Sequence, residues 1–149
     1  MHSAGISALE DRRRGILDAL EPLNVRHETI ITGIEPEKAR TAIASCCTNK
    51  GSFVAVLCTG QADTQGAGLA ADDMPAECRP YVAGFDVSDA IRDLIRSGII
   101  TFTIDQQPYA QGFYPVAQLV LYLRDRIMPT DIDAGAIVID RASLRGFIS

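Results

Sequence analysis

"FVAVLCTGQADTQGAGLAA", Phe53 to Ala71, decides the fold. Its opening run, Phe53 to Thr59, is continuously apolar up to the final threonine. A run without polar alternation reads as a strand buried on both faces, as in a parallel sheet with helices on each side. Cys58, near its end, reads as a small apolar core side chain. Gly60 ends the strand, and the small residues from about Asp63 to Ala71 read as a helix.

The same strand–helix alternation extends in both directions. Upstream, "SALE" (Ser7–Glu10) reads as a capping box that opens a helix to about Leu20. Leu9, Ile16, Leu17 and Leu20 give that helix an apolar stripe. "RHETIIT" (Arg26–Thr32) reads as a strand followed by Gly33. Pro36 fits the first turn of a helix that points Ala39, Ile43 and Cys46 or Cys47 inward. Downstream, a polar loop with Asp72, Asp73 and Pro75 leads to the strand "YVAGFD" (Tyr81–Asp86). Ser88 is the expected N-cap of a helix carrying Ile91, Leu94 and Ile95 on one face, and Gly98 is placed to stop it. "IITFTI" (Ile99–Ile104) is the next strand. A helix is expected from Gly112 to about Arg126 with Phe113, Val116, Ala117, Val120 and Leu121 facing in, and "AGAIVID" (Ala134–Asp140) closes as a short strand.

Such alternation predicts an α/β fold: a mainly parallel sheet flanked by helices in three layers, joined by right-handed crossovers. The series starts on a helix, so its first strand is expected to be missing. With 149 residues, one domain has enough chain for a real core.

Composition excludes several classes of function. A net charge of −5 argues against nucleic-acid binding, which needs basic surface. Arg13 and Arg14 read as a solvated helix face. The cysteines (Cys46, Cys47, Cys58, Cys78) show no CxxC spacing, and His2 and His27 are isolated, so neither a metal site nor a disulfide framework is expected. No cofactor motif is present. There is no GxSxG elbow, no P-loop lysine and no dinucleotide fingerprint, and "GQADTQGAG" lacks a cation for phosphate. Asp63, Asp72 and Asp73 form no carboxylate pair of definable geometry. No catalysis is expected. "MHSAGISALEDRRRG" has no apolar core, so no signal peptide is visible, and no run approaches transmembrane length.

Ligands of open parallel sheets bind beyond the carboxyl ends of the strands. Just past the strands stand Gly33, Gly60 with Gln61, Asp86, and Gln106 with Gln107. Glycines admit a ligand close to the backbone, Asp86 offers acceptors to paired hydroxyls, and the glutamine amides offer donors and acceptors. This set suits a neutral polyol better than an anion. Two readings stay open for Asp86, ligand contact or cap of the following helix, and two for Gln106, ligand contact or partner of loop backbone.

"GFDVSDAIRDLIRSGIITFTIDQQPYAQGFYPV" (Gly84–Val116) resembles the C-terminal part of type I periplasmic sugar-binding proteins of ABC transporters, the ribose-binding-like group. "HSAGISALEDRRRG", "AVLCTGQADTQGAGLAA" and "VAGFD" fit the same family in order, so the resemblance spans nearly the whole chain, with "TIDQQPYAQG" its most diagnostic piece. The resemblance implies two α/β lobes joined by a hinge, with sugar in the cleft. It assigns residues 1–106 to the second lobe, and 107–149 to a hinge crossing plus a helix and short strand that pack on the other lobe. By position it places ligand contacts on Arg12, Asp86 and Gln106, with Gly60 or Gln61 beside them. It further implies a membrane permease as partner and a periplasmic location; the absence of a nucleic-acid partner is expected from charge. The first lobe and the central strand before "HSAG" are expected to be absent, leaving an incomplete sheet open to self-association. The alternative is the effector-sensing domain of a sugar-responsive repressor, which shares the architecture. A flavodoxin-like enzyme is disfavoured for want of phosphate or nucleophile motifs.

Overall fold

The Phe53–Ala71 stretch folds as a strand, a turn and a helix. A computed structural model describes residues 1, 3–51 and 53–146; His2 lies outside these. Its elements are α1 (Ser7–Leu20), α2 (Pro36–Lys50), β1 (Ala55–Leu57), α3 (Gln61–Asp72), β2 (Tyr81–Phe85), α4 (Asp89–Arg96), β3 (Phe102–Asp105), α5 (Pro108–Asp125), β4 (Ile137–Asp140) and α6 (Arg141–Gly146). The sheet runs in the order β1-β2-β3-β4. β1, β2 and β3 are parallel, and β4 is antiparallel to β3. The fold is α/β, a mostly parallel sheet flanked by helices.

Close packing explains why α3 is made of small residues. A Cβ on Gly66 would meet Ala39 at 2.5 Å and the Pro36 carbonyl at 2.7 Å, so glycine lets α2 and α3 nearly touch. A Cβ on Gly68 would meet Leu94 at 2.7 Å and Ile100 at 2.8 Å. Ala67, Ala70 and Ala71 complete this buried surface against Val82, Ile91, Ile95 and Ile100. Each fully buried isoleucine there contributes about 1.5–3 kcal/mol. Ile139 of β4 and Leu144 of α6 join the same core, with α6 packed beside α4.

Local chemistry closes α4 as the sequence predicts. Ser88 Oγ accepts from Ile91 N at 3.2 Å, and Gly98 takes φ +82° while Ile99 N donates to Leu94 O at 2.9 Å. Ser88→Ala is expected to cost about 1 kcal/mol of unfolding free energy, measured by urea denaturation.

Four expectations are corrected. Residues 26–32 do not form a strand: one pair of backbone bonds to Met1 is the pairing they make among the described residues, and a cavity of about 620 Å³ separates them from β1. β1 is therefore an edge, not a strand buried on both sides: Val54 is 80% exposed. Ile6, not Ser7, holds the N-cap position of α1, so the capping box does not form; Glu10 instead accepts from Gly5 N at 3.3 Å and pairs with Arg13. Finally, α5 begins at Pro108 and buries none of its residues: Phe113 is 52% and Val116 62% exposed. β4 takes the place beside β3.

Candidate functional site

The carboxyl ends of β1, β2 and β3 lie side by side, and α1 reaches over them through one residue. Arg12 donates from Nη1 to the Thr59 carbonyl at 2.7 Å, just past β1. Its Nη2 donates to Gln106 Oε1, just past β3. Its guanidinium lies 4.2 Å from the ring centroid of Phe85, the last residue of β2. A planar cation is suited to all three contacts, since it stacks on an aromatic face while its fork donates in plane.

Gln106 passes the chain of bonds onward. Its Nε2 donates to Asp86 Oδ1. The amide orientation follows from charge: its oxygen must face the guanidinium and its NH₂ the carboxylate, and the reverse would set donor against donor. Arg12, Gln106 and Asp86 thus form one continuous hydrogen-bonded row, although they lie 94 and 20 residues apart in sequence. All three are half-buried.

The backbone under Asp86 is held on both sides. Its N–H donates to Ile104 O at 2.9 Å, and its carbonyl accepts from the buried Thr103 hydroxyl at 2.8 Å. These bonds keep Asp86 at φ +69°, a left-handed conformation that aspartate tolerates better than most residues. Ser88 caps α4, so Asp86 is free of the capping role the sequence left open.

The neighbouring turn is fixed by Asp63. Its carboxylate accepts from Thr59 N at 2.8 Å and from Gly60 N at 2.9 Å, and it pairs with the Met1 ammonium at 3.3 Å. Gly60 is buried and its amide is committed to Asp63, which removes it as a donor to any ligand. Gln61 is exposed at the first position of α3 and joins none of the bonds of the row. Gly33 adopts φ +80° and joins none of the bonds of the row.

Two residues that shape this site escape a reading of the sequence. Phe85 is the ring beneath Arg12 and Thr103 the hydroxyl beneath Asp86; both look like ordinary strand positions. The "FD" pair at a strand's end is the one available signal for Phe85. Among the described residues no group of three or more metal-ligating side chains gathers, and no helix is long and apolar enough to cross a membrane. Burial pushes the Cys58 thiol well above its ordinary range, as suits a core residue and not a nucleophile.

The arrangement offers fixed charges of both signs linked by an amide, and no nucleophile with a base beside it. Two of the Arg12 donors are used, leaving the others for a ligand, and Asp86 retains Oδ2 as an acceptor. The 620 Å³ cavity contains none of the three residues and is lined largely by apolar side chains.

Comparison with known proteins agrees with this fold. Among curated proteins, the xylose/arabinose-binding protein XylF of Sulfolobus acidocaldarius is 37% identical over 67 residues, 44% of this chain and 17% of that protein. An ABC transporter solute-binding protein from Agrobacterium vitis, bound with alpha-D-tagatopyranose, superposes with a TM-score of 0.79 at 24% identity, over 95% of this chain and 48% of its own. A carbohydrate transporter solute-binding protein from Agrobacterium radiobacter, in complex with D-arabinose, gives 0.82 at 22% identity, over 97% and 50%. A periplasmic ribose ABC transporter protein from Conexibacter woesei gives 0.81 at 21%, over 97% and 50%. The chain therefore spans about half the length of these structures. Residues 1–126 match the model of the periplasmic binding protein domain, and the chain belongs to that family.

Proposed function

We propose that this chain is one lobe of the sugar-binding component of an ABC transporter, and that it holds a neutral monosaccharide by binding alone. The observation that carries the reading is the row Arg12–Gln106–Asp86 across three strand ends. Sugar hydroxyls each donate and accept, so a ligand lying on this row meets a carboxylate acceptor and a guanidinium donor a few ångströms apart. Charge-assisted bonds of that kind are roughly twice as strong as neutral ones. The named relatives that bind pentoses or a ketohexose support the same ligand class.

Residues 1–106 form the second lobe in this reading and the hinge crossing begins at 107, while β4 and α6 return to the sheet and core of this lobe. Gln107, at φ +59°, turns the chain into α5, whose uncovered apolar residues suit the surface of a first lobe. A membrane permease is the expected partner, the periplasm the expected location. The repressor-domain alternative rests on shared architecture, and none of the relatives named above favours it.

With one wall of a cleft, a sugar stays solvated on its other face, so the affinity is expected to be weak. Titration calorimetry with D-arabinose, D-ribose, D-xylose and D-glucose, beside a nucleotide and flavin panel, tests the proposal. The expected result is binding of at least one sugar at a Kd on the order of millimolar, ~4 kcal/mol, and no response to nucleotides. Tighter binding of a nucleotide or flavin than of any sugar would overturn it, and a submicromolar sugar Kd would overturn the half-cleft argument.

A further inference from the structure

We propose that Thr103 is a positioning residue for the ligand site. Its hydroxyl holds the Asp86 peptide in the turned conformation that lets Phe85 and Asp86 serve the same row, and sugar affinity depends on it. This role rests on the proposed sugar site. Thr103 is fully buried, so it acts through Asp86 and not by touching a ligand.

Successive residues of a strand point to opposite faces of a sheet. Phe85 ends β2 and Asp86 follows it, yet both meet one row. The Phe85 ring lies under the Arg12 guanidinium, and the Asp86 carboxylate accepts from the Gln106 amide, whose oxygen accepts from Arg12. An extended backbone at Asp86 would send its carboxylate to the face away from that ring. The φ of +69° brings the two together. A left-handed residue that carries a Cβ is strained, and it persists only where its surroundings hold it.

Three bonds hold Asp86, and they do not weigh equally. Its N–H donates to Ile104 O at 2.9 Å, a bond that a straight parallel ladder would make as well. That bond does not select the turn. In a continuing ladder the Asp86 carbonyl would accept from the Gln106 amide, two residues past Ile104. It turns back instead and accepts from Thr103 Oγ1 at 2.8 Å. The bond from Gln106 to the carboxylate also favours the turn, but it is half-buried and is the one a sugar hydroxyl competes for. The Thr103 bond is out of that competition. Thr103 pairs with Gly84 of β2 on one side and Ile139 of β4 on the other, where its hydroxyl has no water as an alternative partner. Phe85 is held separately, because its N–H donates to Thr64 Oγ1 at 3.1 Å. Loss of the Thr103 hydroxyl therefore frees Asp86 and leaves the strand before it in place.

Valine has the shape of threonine without the hydroxyl. If the turned form then falls to about a tenth of the population, the apparent Kd rises about tenfold.

The test compares the full chain with Thr103→Val and Thr103→Ser. One readout needs no sugar: the sign of φ at Asp86, from its backbone three-bond couplings. The other is the Kd for D-ribose and D-arabinose from ¹⁵N-HSQC shifts. Exchange protection of the Cys58 amide, which donates to Ala83 O at 2.8 Å, reports that the sheet is intact. The expected result for Thr103→Val is Cys58 protection retained, couplings at Asp86 averaged toward negative φ, and a sugar Kd about tenfold weaker. Thr103→Ser loses a methyl group and melts lower, yet keeps positive φ at Asp86 and a Kd within twofold of wild type. A packing role alone predicts the opposite order, with serine the worse binder. Where Thr103→Val does not fold, Thr103→Ala beside Thr103→Ser makes the same comparison without the methyl groups. Positive φ at Asp86 retained in the variant without a hydroxyl, or sugar affinity equal to that of its hydroxyl-bearing counterpart, overturns the proposal. A wild-type chain that binds no sugar overturns the reading of the row instead, and the couplings still decide whether Thr103 holds Asp86.

Discussion

Replacing Gly84 by valine is expected to leave no folded protein at ambient temperature. Gly84 lies in the middle of β2 beneath the Thr64 side chain, and a Cβ there would sit 2.0 Å from Thr64 Oγ1 and 2.9 Å from its Cβ and Cγ2. The threonine cannot move aside freely. Its hydroxyl donates to Gly60 O at 2.6 Å and accepts from Phe85 N at 3.1 Å, tying α3 to the ends of β1 and β2. Thr64 is fully buried, so breaking those bonds leaves polar groups without water. Gly84→Ala, the mildest version, is expected to cost about 3 kcal/mol from overpacking and lost bonds, a fall in Tm of roughly 10 °C. Gly112→Ala is the matched control: it lies inside α5 with nothing within 4 Å, and is expected to be neutral or to stabilise by about 0.5–1 kcal/mol. Equal melting temperatures for wild type and Gly84→Ala would show that the close approach of α3 to β2 is not what fixes this strand.

Asp86→Ala is expected to abolish detectable sugar binding while leaving the fold in place. The substitution removes the carboxylate that terminates the hydrogen-bonded row, and with it about 1.5–3 kcal/mol of charge-assisted bonding. From a starting Kd on the order of millimolar, a tenfold or greater loss puts saturation beyond practical sugar concentrations. The left-handed backbone adds strain to alanine at this position, so Asp86→Asn is the cleaner probe. Asparagine keeps the conformation and an acceptor oxygen but not the charge, and a loss of about tenfold is expected. Arg12→Ala should act likewise from the other end, since it removes the donor shared by Thr59, Gln106 and the ligand. Unchanged sugar affinity in Asp86→Asn, at an unchanged melting temperature, would take Asp86 out of the site.

Local rules read from the sequence serve well where the physics is local. Ser88 and Gly98 bound α4 because a hydroxyl and a missing Cβ act on the nearest turn. The inward set Ala39, Ile43, Ile91, Leu94 and Ile95 follows from helical spacing alone. Residues 26–32 show where this stops. Their β-branched pattern is a strand's, but a ladder is a property of two segments, and one pair of bonds to Met1 does not make one. The inward face assigned to α5 fails for the same reason, because amphipathic spacing does not say which surface is there to receive it. At the site, the rule that ligands sit past strand ends names Asp86 and Gln106 but also Gly33, Gly60, Gln61 and Gln107, which join no bond of the row, and resemblance adds Arg12. The bonds that join them, and the supports from Phe85 and Thr103, depend on side chains meeting across three strands, and no spacing in the sequence encodes that.

In the proposed function a polyol lies against the row of Arg12, Gln106 and Asp86. The most direct measurement is a ¹⁵N-HSQC titration of the full chain with D-arabinose and D-ribose up to 100 mM. The predicted result is saturable shifts concentrated at the Gln106 side-chain amide, the Arg12 Nε–H and the Asp86 backbone amide, lost in Asp86→Asn. Shifts confined to residues lining the 620 Å³ cavity, with those three signals unmoved, would contradict it.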